Sequence, residues 1–234
     1  METEKTKEIY SKLDIVWPQD NIWYTYLHNK IINYVQEKLI SRLSAKDFYL
    51  NAGSGGSTYD LAGTCYHVDI AENLIRELPN SFVASIEKMP FQNDFFDAII
   101  CVGSVINYCS AFESILEFSR IIKKDGILIL EFERSQSAEL WFSHNWSQQA
   151  TLQNYNYLNN IHTLWLYSES YICSILKQAG FKVLDKKRIH SISAIINKIT
   201  CNENFAGRFG HLDTFFSPIS YLTAHNIIMT CQKT

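Results

Sequence analysis

The sequence predicts an α/β fold: a mostly parallel sheet with helices on both faces. Three observations predict it. Short apolar runs alternate with segments of helical period, a glycine cluster follows the first run, and an acidic residue closes the second. Strands buried on both faces read as continuous apolar runs, and helical crossovers between them make neighbouring strands parallel.

The first 45 or so residues read as a helical cap. Leu27, Ile31, Tyr34, Val35 and Leu39 make one apolar stripe at helical spacing. Pro18 separates this helix from an earlier one near Ile9–Leu13. Phe48-Tyr49-Leu50 is the first strand and leads into Gly53-Ser54-Gly55-Gly56. Cys65–Asp69 is the second strand, Glu72–Leu78 a helix, Phe82-Val83-Ala84 a third strand and Phe96–Val102 a buried fourth. Ser110–Lys123 reads as a helix with a capping box, Ser110 at the cap and Glu113 three residues on. Gly126 is expected to stop it in a left-handed turn before the strand Ile127–Phe132. Residues 134–168 are rich in Trp, Tyr, Asn and Gln and show no steady period. A helix over Glu169–Ala179, a strand from Phe181 to about Lys187, an irregular stretch over 191–224 and a strand over His225–Lys233 complete the chain. A last strand after so long an excursion fits an antiparallel hairpin at one sheet edge.

Composition bounds the function. The chain has 234 residues, 47% hydrophobic and 19% charged, with a formal net charge of −3. That suits one globular α/β domain. A general grip on nucleic acid would need a clustered basic face, and none stands out. The run Lys186-Lys187-Arg188 is either a local basic patch or a solvated strand end. The six cysteines make no C-x-x-C and no zinc spacing, so no metal is expected and a reduced, cytoplasmic setting is. The polar opening METEKTKE does not resemble a signal peptide, and no apolar run reaches membrane-span length, so no membrane partner is expected.

Two features suit a nucleotide-like ligand. Glycines let backbone approach a ligand closely, and an acidic residue ending the next strand, here Asp69, can accept from both ribose hydroxyls. Asp69 is alternatively the cap of the helix near Glu72. Dinucleotide-binding folds share both features, so a third must choose. It lies in five ordered segments: Tyr49–Gly56, His67-Val68-Asp69-Ile70, Glu87-Lys88-Met89-Pro90-Phe91, Asp94–Ile100 and Ile121–Leu130. In these the chain resembles the class I S-adenosylmethionine (SAM)-dependent methyltransferases, in their small-molecule branch, over about residues 48–132. The resemblance implies a seven-stranded Rossmann-like sheet with its last strand antiparallel, SAM as cofactor and S-adenosylhomocysteine as product. It also implies a lid after the fifth strand. One domain results: cap 1–45, cofactor core 46–133, lid 134–168 and C-terminal sheet half 169–234.

On this pattern the turn Gly53-Ser54-Gly55 meets the cofactor's amino-acid end, and Asp69 takes the ribose. Ile70 and Ile86 cover the adenine, with Ser85 and Glu87 beside it, and Val102, Gly103 and Ser104 follow the methionyl chain. Asn51 stands where the family usually has an acidic residue, so Asn51→Asp is expected to tighten binding. Ser57 replaces the motif's third glycine, and the interval from Gly55 to Asp69 is short, so the first helix must be stunted.

The acceptor is left open in part. Gly103–Tyr108 lacks the Asn/Asp-Pro-Pro-Tyr box of nucleic-acid amino methyltransferases, and no Pro-Cys pair offers a nucleophile for cytosine-C5. We expect methyl transfer to a small molecule, on O or N ahead of C. A peptide or protein acceptor, or SAM binding without catalysis, remains open. Trp141, Phe142, Trp146, Tyr155, Tyr157, Trp165 and Tyr167 either face a planar acceptor or form a packed cap or homodimer surface. His144 is the candidate base, Tyr24, Tyr108 and Trp146 candidate acceptor contacts, and His67 a structural histidine.

Overall fold

A computed structural model describes residues 2–13, 16–157, 160–214 and 217–234. Two helices open the chain, α1 (Glu2–Tyr10) and α2 (Ile22–Leu39). The core follows as β1 (Phe48–Ala52), β2 (Thr64–Asp69), α3 (Glu72–Ile75), β3 (Ser81–Val83), β4 (Phe96–Cys101), α4 (Ala111–Ile121) and β5 (Ile122–Glu133). Next come the hairpin β6 (Ala150–Tyr157) and β7 (Asn160–Tyr167), then α5 (Glu169–Gln178) and β8 (Phe181–Ile189). The chain ends with α6 (Ser191–Thr200), α7 (Glu203–Gly207), α8 (Ser220–Thr223) and β9 (Asn226–Lys233).

Seven strands form one sheet in the order β3-β2-β1-β4-β5-β9-β8. The first five are parallel, and β9 runs antiparallel to both β5 and β8. The expected C-terminal hairpin is present at the edge, with the last strand on its inner side. The reason is burial. β9 is apolar through Ile227, Ile228 and Met229, all buried, whereas β8 alternates with charged residues. A charged outer strand also resists pairing with another chain. Lys186 and Arg188 are not a free basic patch, because both pair with the largely buried Glu169 carboxylate at 2.9–3.0 Å.

The two sheet faces carry separate cores. The α2 stripe of Leu27, Ile31, Tyr34, Val35 and Leu39 is buried as its spacing predicts, against Tyr49, Ile100, Ile129 and Ile228. Asn21 caps that helix by accepting from the Trp23 N–H. On the opposite face, α4 and α5 bury Ile115, Phe118, Ile172 and Leu176 against Leu50, Leu128 and Met229. Ser110 caps α4 by accepting from the Glu113 N–H.

Several local expectations change. The short interval after β1 holds no helix at all: residues 53–63 run as turns and irregular backbone. The helix at Glu72 is one turn long, ending at Ile75 rather than Leu78. After α4 the left-handed residue is Asp125 (φ 63°), not Gly126. Gly126 is required for space, since a Cβ there would lie 2.7 Å from Ile122 and 2.9 Å from the Lys123 carbonyl. The strand over Ile127–Phe132 includes a fully buried carboxylate, Glu131, whose partners are given below.

Candidate active site

Parallel strands end together, and the cleft at their carboxyl ends is where open α/β sheets bind ligands. Here β1, β2 and β4 end at Ala52, Asp69 and Cys101, and the turns that follow them border one cleft. Its space between atoms, mouth included, is about 890 Å³, within the range of small-ligand sites. Asn51, Gly53, Ser54, Gly55, Asp69 and Ile70 line one side, and Ser85, Ile86, Val102 and Gly103 the other.

Backbone donors orient Asp69. Its Oδ2 accepts from the Gly55 N–H at 2.8 Å and its Oδ1 from the Ala71 N–H at 2.9 Å. Burial pushes its carboxyl above the ordinary aspartate range, against the pull of those N–H groups. The Ile70 N–H also reaches this carboxylate, which with about four acceptor positions still keeps capacity toward the cleft. Holding the turn and facing the cleft are thus compatible for this residue.

Asn51 is committed differently from its expected role. Its amide nitrogen donates to the Ser57 carbonyl at 2.8 Å and to Ser54 Oγ at 3.3 Å. Ser54 Oγ also meets Nδ1 of the buried His67 at 2.9 Å. Asn51 and Ser57 therefore close the turn together where a helix is missing. A carboxylate at position 51 would face the Ser57 carbonyl oxygen, so the expected gain from Asn51→Asp is reversed. His67 is structural, and burial lowers its pKa.

The turn after β4 rests on Glu131, which accepts from the Gly103 and Ser104 N–H groups, both at 2.8 Å, and from Asn226 Nδ2 at 2.7 Å. Burial pushes its carboxyl up to about 7. Gly103 faces Trp17 across the cleft, and a Cβ there would stand 3.2 Å from the indole. A missing side chain is what leaves this strand end open to a ligand.

A second cavity adjoins the first, with about 680 Å³ between its atoms and mouth. The two share Tyr10, Val16, Trp17, Gly103 and Tyr108. Three of those five come from the N-terminal segment, which crosses both cavities. The Tyr10 hydroxyl donates to the Tyr108 oxygen at 3.0 Å, leaving the Tyr108 hydrogen for Nδ1 of His162, also at 3.0 Å. Burial pushes the Tyr10 phenol up to about 12. Trp23, Tyr24, Tyr155, Glu133, Glu203 and His225 line the rest of the second cavity.

Residues 50–130 match the family model described as a methyltransferase domain. Their span is that of the five ordered segments, and it holds the glycine turn, Asp69 and the end of β4. Over this span the chain is similar to the class I SAM-dependent methyltransferases. An uncharacterized protein of Methanocaldococcus jannaschii is 28% identical over 130 residues, 53% of this chain and 49% of that protein, so the match spans about half the relative's length. Geranyl diphosphate C-methyltransferase from Streptomyces coelicolor, solved with Mg²⁺, geranyl diphosphate and S-adenosyl-L-homocysteine, shares the fold. Its TM-score is 0.66 at 10% identity, over 100% of this chain and 98% of that one. Magnesium protoporphyrin IX methyltransferase from Synechocystis, solved with SAM, superposes with a TM-score of 0.61 at 11% identity, over 100% and 98% of the two chains. No helix among the described residues is long and apolar enough to cross a membrane.

Within these two cavities the residues selected from the sequence divide. Ten of the twelve expected cofactor contacts line the first cleft. Glu87 does not: its carboxylate accepts from the Ser110 N–H at 2.7 Å and from Ser85 Oγ at 3.2 Å, tying the loop after β3 to the start of α4. Ser104 lines the second cavity. Tyr24 and Tyr108 line that cavity as well, but His144 and Trp146 line neither. His144 is exposed, on turns that precede β6.

The aromatic segment splits in the same way. Tyr155 reaches the second cavity, Tyr167 donates to the Cys109 carbonyl at 2.7 Å inside the core, and Phe142 is fully exposed. The Tyr157 side chain lies outside the described residues. His162, which the sequence places within the aromatic stretch, lines the second cavity from the buried face of β7 with Leu164. Sequence reasoning missed Tyr10, Trp17, Glu133, Glu203 and His225.

Proposed function

We propose that this methyltransferase holds SAM in the first cleft and transfers its methyl group to a small molecule seated in the second cavity, on oxygen or nitrogen ahead of carbon. The observation that carries this reading is the shared wall. Tyr10, Trp17, Gly103 and Tyr108 border both cavities, so a donor in one and an acceptor in the other meet there. A sulfonium methyl is already activated, and the protein's task is alignment and exclusion of water. Asp69 would hold the ribose, Ile70 and Ile86 the adenine, and Gly53 and Gly55 the amino-acid end. Gly103 would admit the methionyl chain, and Trp17 would shield the transferring methyl from solvent.

A small acceptor is favoured over a peptide because α1, α2, β5, the β6–β7 hairpin and α7 surround the second cavity. The Asn51–Ser57 hydrogen bond supports a working cofactor turn over a degenerate one. Six free thiols support a reducing, cytoplasmic setting. The test is a thermal melt with SAM, S-adenosylhomocysteine and NAD, followed by label transfer from methyl-labelled SAM to small molecules. A shift with the first two alone, and labelled small-molecule product, is expected. A shift with NAD alone, or label found only on protein, would overturn the reading.

A further inference from the structure

We infer that the second cavity takes an amine on an aromatic or apolar body, recognised by Glu133 and Glu203 and methylated on nitrogen. This rests on the two-cavity reading above and narrows its acceptor to one class.

The charges on the cavity wall are unbalanced. Glu133 and Glu203 both line it, and no lysine or arginine does among the described residues. The cation present is His225, whose Nε2 lies 3.5 Å from Glu133 Oε2 while its Nδ1 bonds Glu139 Oε2. The two carboxylates hold this imidazole protonated well above the ordinary histidine range. Glu139 lies outside the cavity lining, bonded to Asn197 and Ser137 as well as His225. His225 thus answers one of its two carboxylates in full, and Glu133 shares what remains. Glu203 accepts the Tyr24 hydroxyl at 3.0 Å, and burial with nearby carboxylates raises its pKa. The Tyr155 phenol is kept from ionising by burial first, then by Glu133, Glu139 and Glu203 around it.

Such a wall selects its occupant. A bound carboxylate or phosphate would find like charge and no free cation. An alcohol would leave the carboxylates without a countercharge. An ammonium group supplies it, and the faces of Trp17, Trp23, Tyr24 and Tyr155 suit both a cation and an apolar body. Glu133 is also well placed for the reaction. It ends β5 at the carboxyl end of the sheet and lines the cavity that shares Tyr10, Gly103 and Tyr108 with the cofactor cleft.

The step balances with a carboxylate as base. The bound ammonium, R–NH₃⁺, gives one proton to Glu133. The freed lone pair forms the N–CH₃ bond as the methyl–sulfur bond breaks and its electron pair stays on sulfur. The products are R–NH₂⁺–CH₃ and neutral S-adenosylhomocysteine.

The experiment titrates the S-adenosylhomocysteine-loaded protein with a panel of arylalkyl and alkyl primary amines, each beside its matched alcohol and carboxylate. We expect amines to bind at least about tenfold tighter than their partners, the scale of a charge-assisted hydrogen bond. Glu133→Gln should remove about tenfold of amine affinity and leave S-adenosylhomocysteine affinity within about twofold. Glu203→Gln, on a different element, repeats the test should the first variant fold poorly. With SAM, mass spectrometry should find the added methyl on nitrogen. If S-adenosylhomocysteine binds and amines show no preference, including no binding by any of the panel, the amine assignment is overturned while the methyltransferase reading stands. If S-adenosylhomocysteine itself does not bind, both fall.

Discussion

Asp69 shows how one side chain can hold a turn and still face a cleft. Its two oxygens each take one backbone N–H, which fixes the carboxylate plane before any ligand arrives. Asp69→Asn keeps one acceptor oxygen and the shape but loses the charge. Calorimetry should find S-adenosylhomocysteine bound about tenfold or more weakly; an unchanged affinity would reduce Asp69 to a turn-holding residue. Asn51→Asp now carries the opposite expectation from the one its sequence position suggests. Replacing an N–H donor by a carboxylate against the Ser57 carbonyl should lower the melting temperature and weaken the cofactor, because a buried acceptor pair left without a proton costs about 1–3 kcal/mol. A tighter complex would mean that the amide turns toward the ligand. His225 gives a third test. In a proton-resolved pH titration it should stay charged to a higher pH than the half-buried His28 and the buried His67, whose pKa values burial lowers.

At the scale of elements, the segment after β5 is a built wall more than a loose flap. β6 and β7 pair along their whole length as antiparallel strands, and the inner face of β7 is buried. Arg134 leads into this segment fully buried, donating to the carbonyls of Ser220, Tyr221 and Ala224. Hydrogen exchange should therefore show β7 amides protected in the free protein and faster exchange over the exposed turns at 142–149. Uniformly fast exchange across 150–167 would restore a mobile lid. The N-terminal segment is the other cover. Asn73 Nδ2 donates to the Tyr10 and Leu13 carbonyls at 3.3 and 2.8 Å, and the Tyr10 hydroxyl bonds Tyr108, so the end of α1 is tied both to α3 and to the wall between the cavities. Helix α2 was legible because its stripe is local and complete. The absent helix after β1 was legible only as a shortage of residues, since nothing in residues 57–63 says which turns replace it.

For the whole molecule, ligand and proton linkage give the readable quantities. A cofactor at about 100 times its Kd should raise stability by about 2.7 kcal/mol, a shift that NAD should not produce. The His225–Glu139 pair sets a pH window. The folded pKa of His225 is raised above 6.5, so its contribution is full below that value and is lost as pH rises through the raised one. The folded pKa of Glu139 is lowered from 4.5, so its contribution is present above 4.5 and is lost as pH falls through the lowered value. Denaturant melts of His225→Gln should lie below wild type inside this window and converge with it on the alkaline side. Parallel curves up to high pH would show that the imidazole contributes by packing alone.

The sequence by itself determined the parallel core of the sheet, the α2 stripe, the glycine turn and the likeness of residues 50–130 to a methyltransferase domain. These signals act over a few positions each: a helical period, a run buried on both faces, a turn that needs glycine, an acid at a strand end. Only the tertiary structure decided the second cavity. Tyr10 and Tyr108 are 98 positions apart and Tyr108 and His162 are 54 apart, yet their polar atoms meet at 3.0 Å. Glu133, Glu203 and His225 come from β5, α7 and the bend before β9 with no shared local pattern, and His144, the best local candidate for a base, is carried to the surface instead. A cofactor cleft in this fold is built at the ends of successive strands, so its residues fall in ordered motifs. An acceptor pocket is closed by whichever distant elements pack over that cleft, and packing is a property of the folded whole.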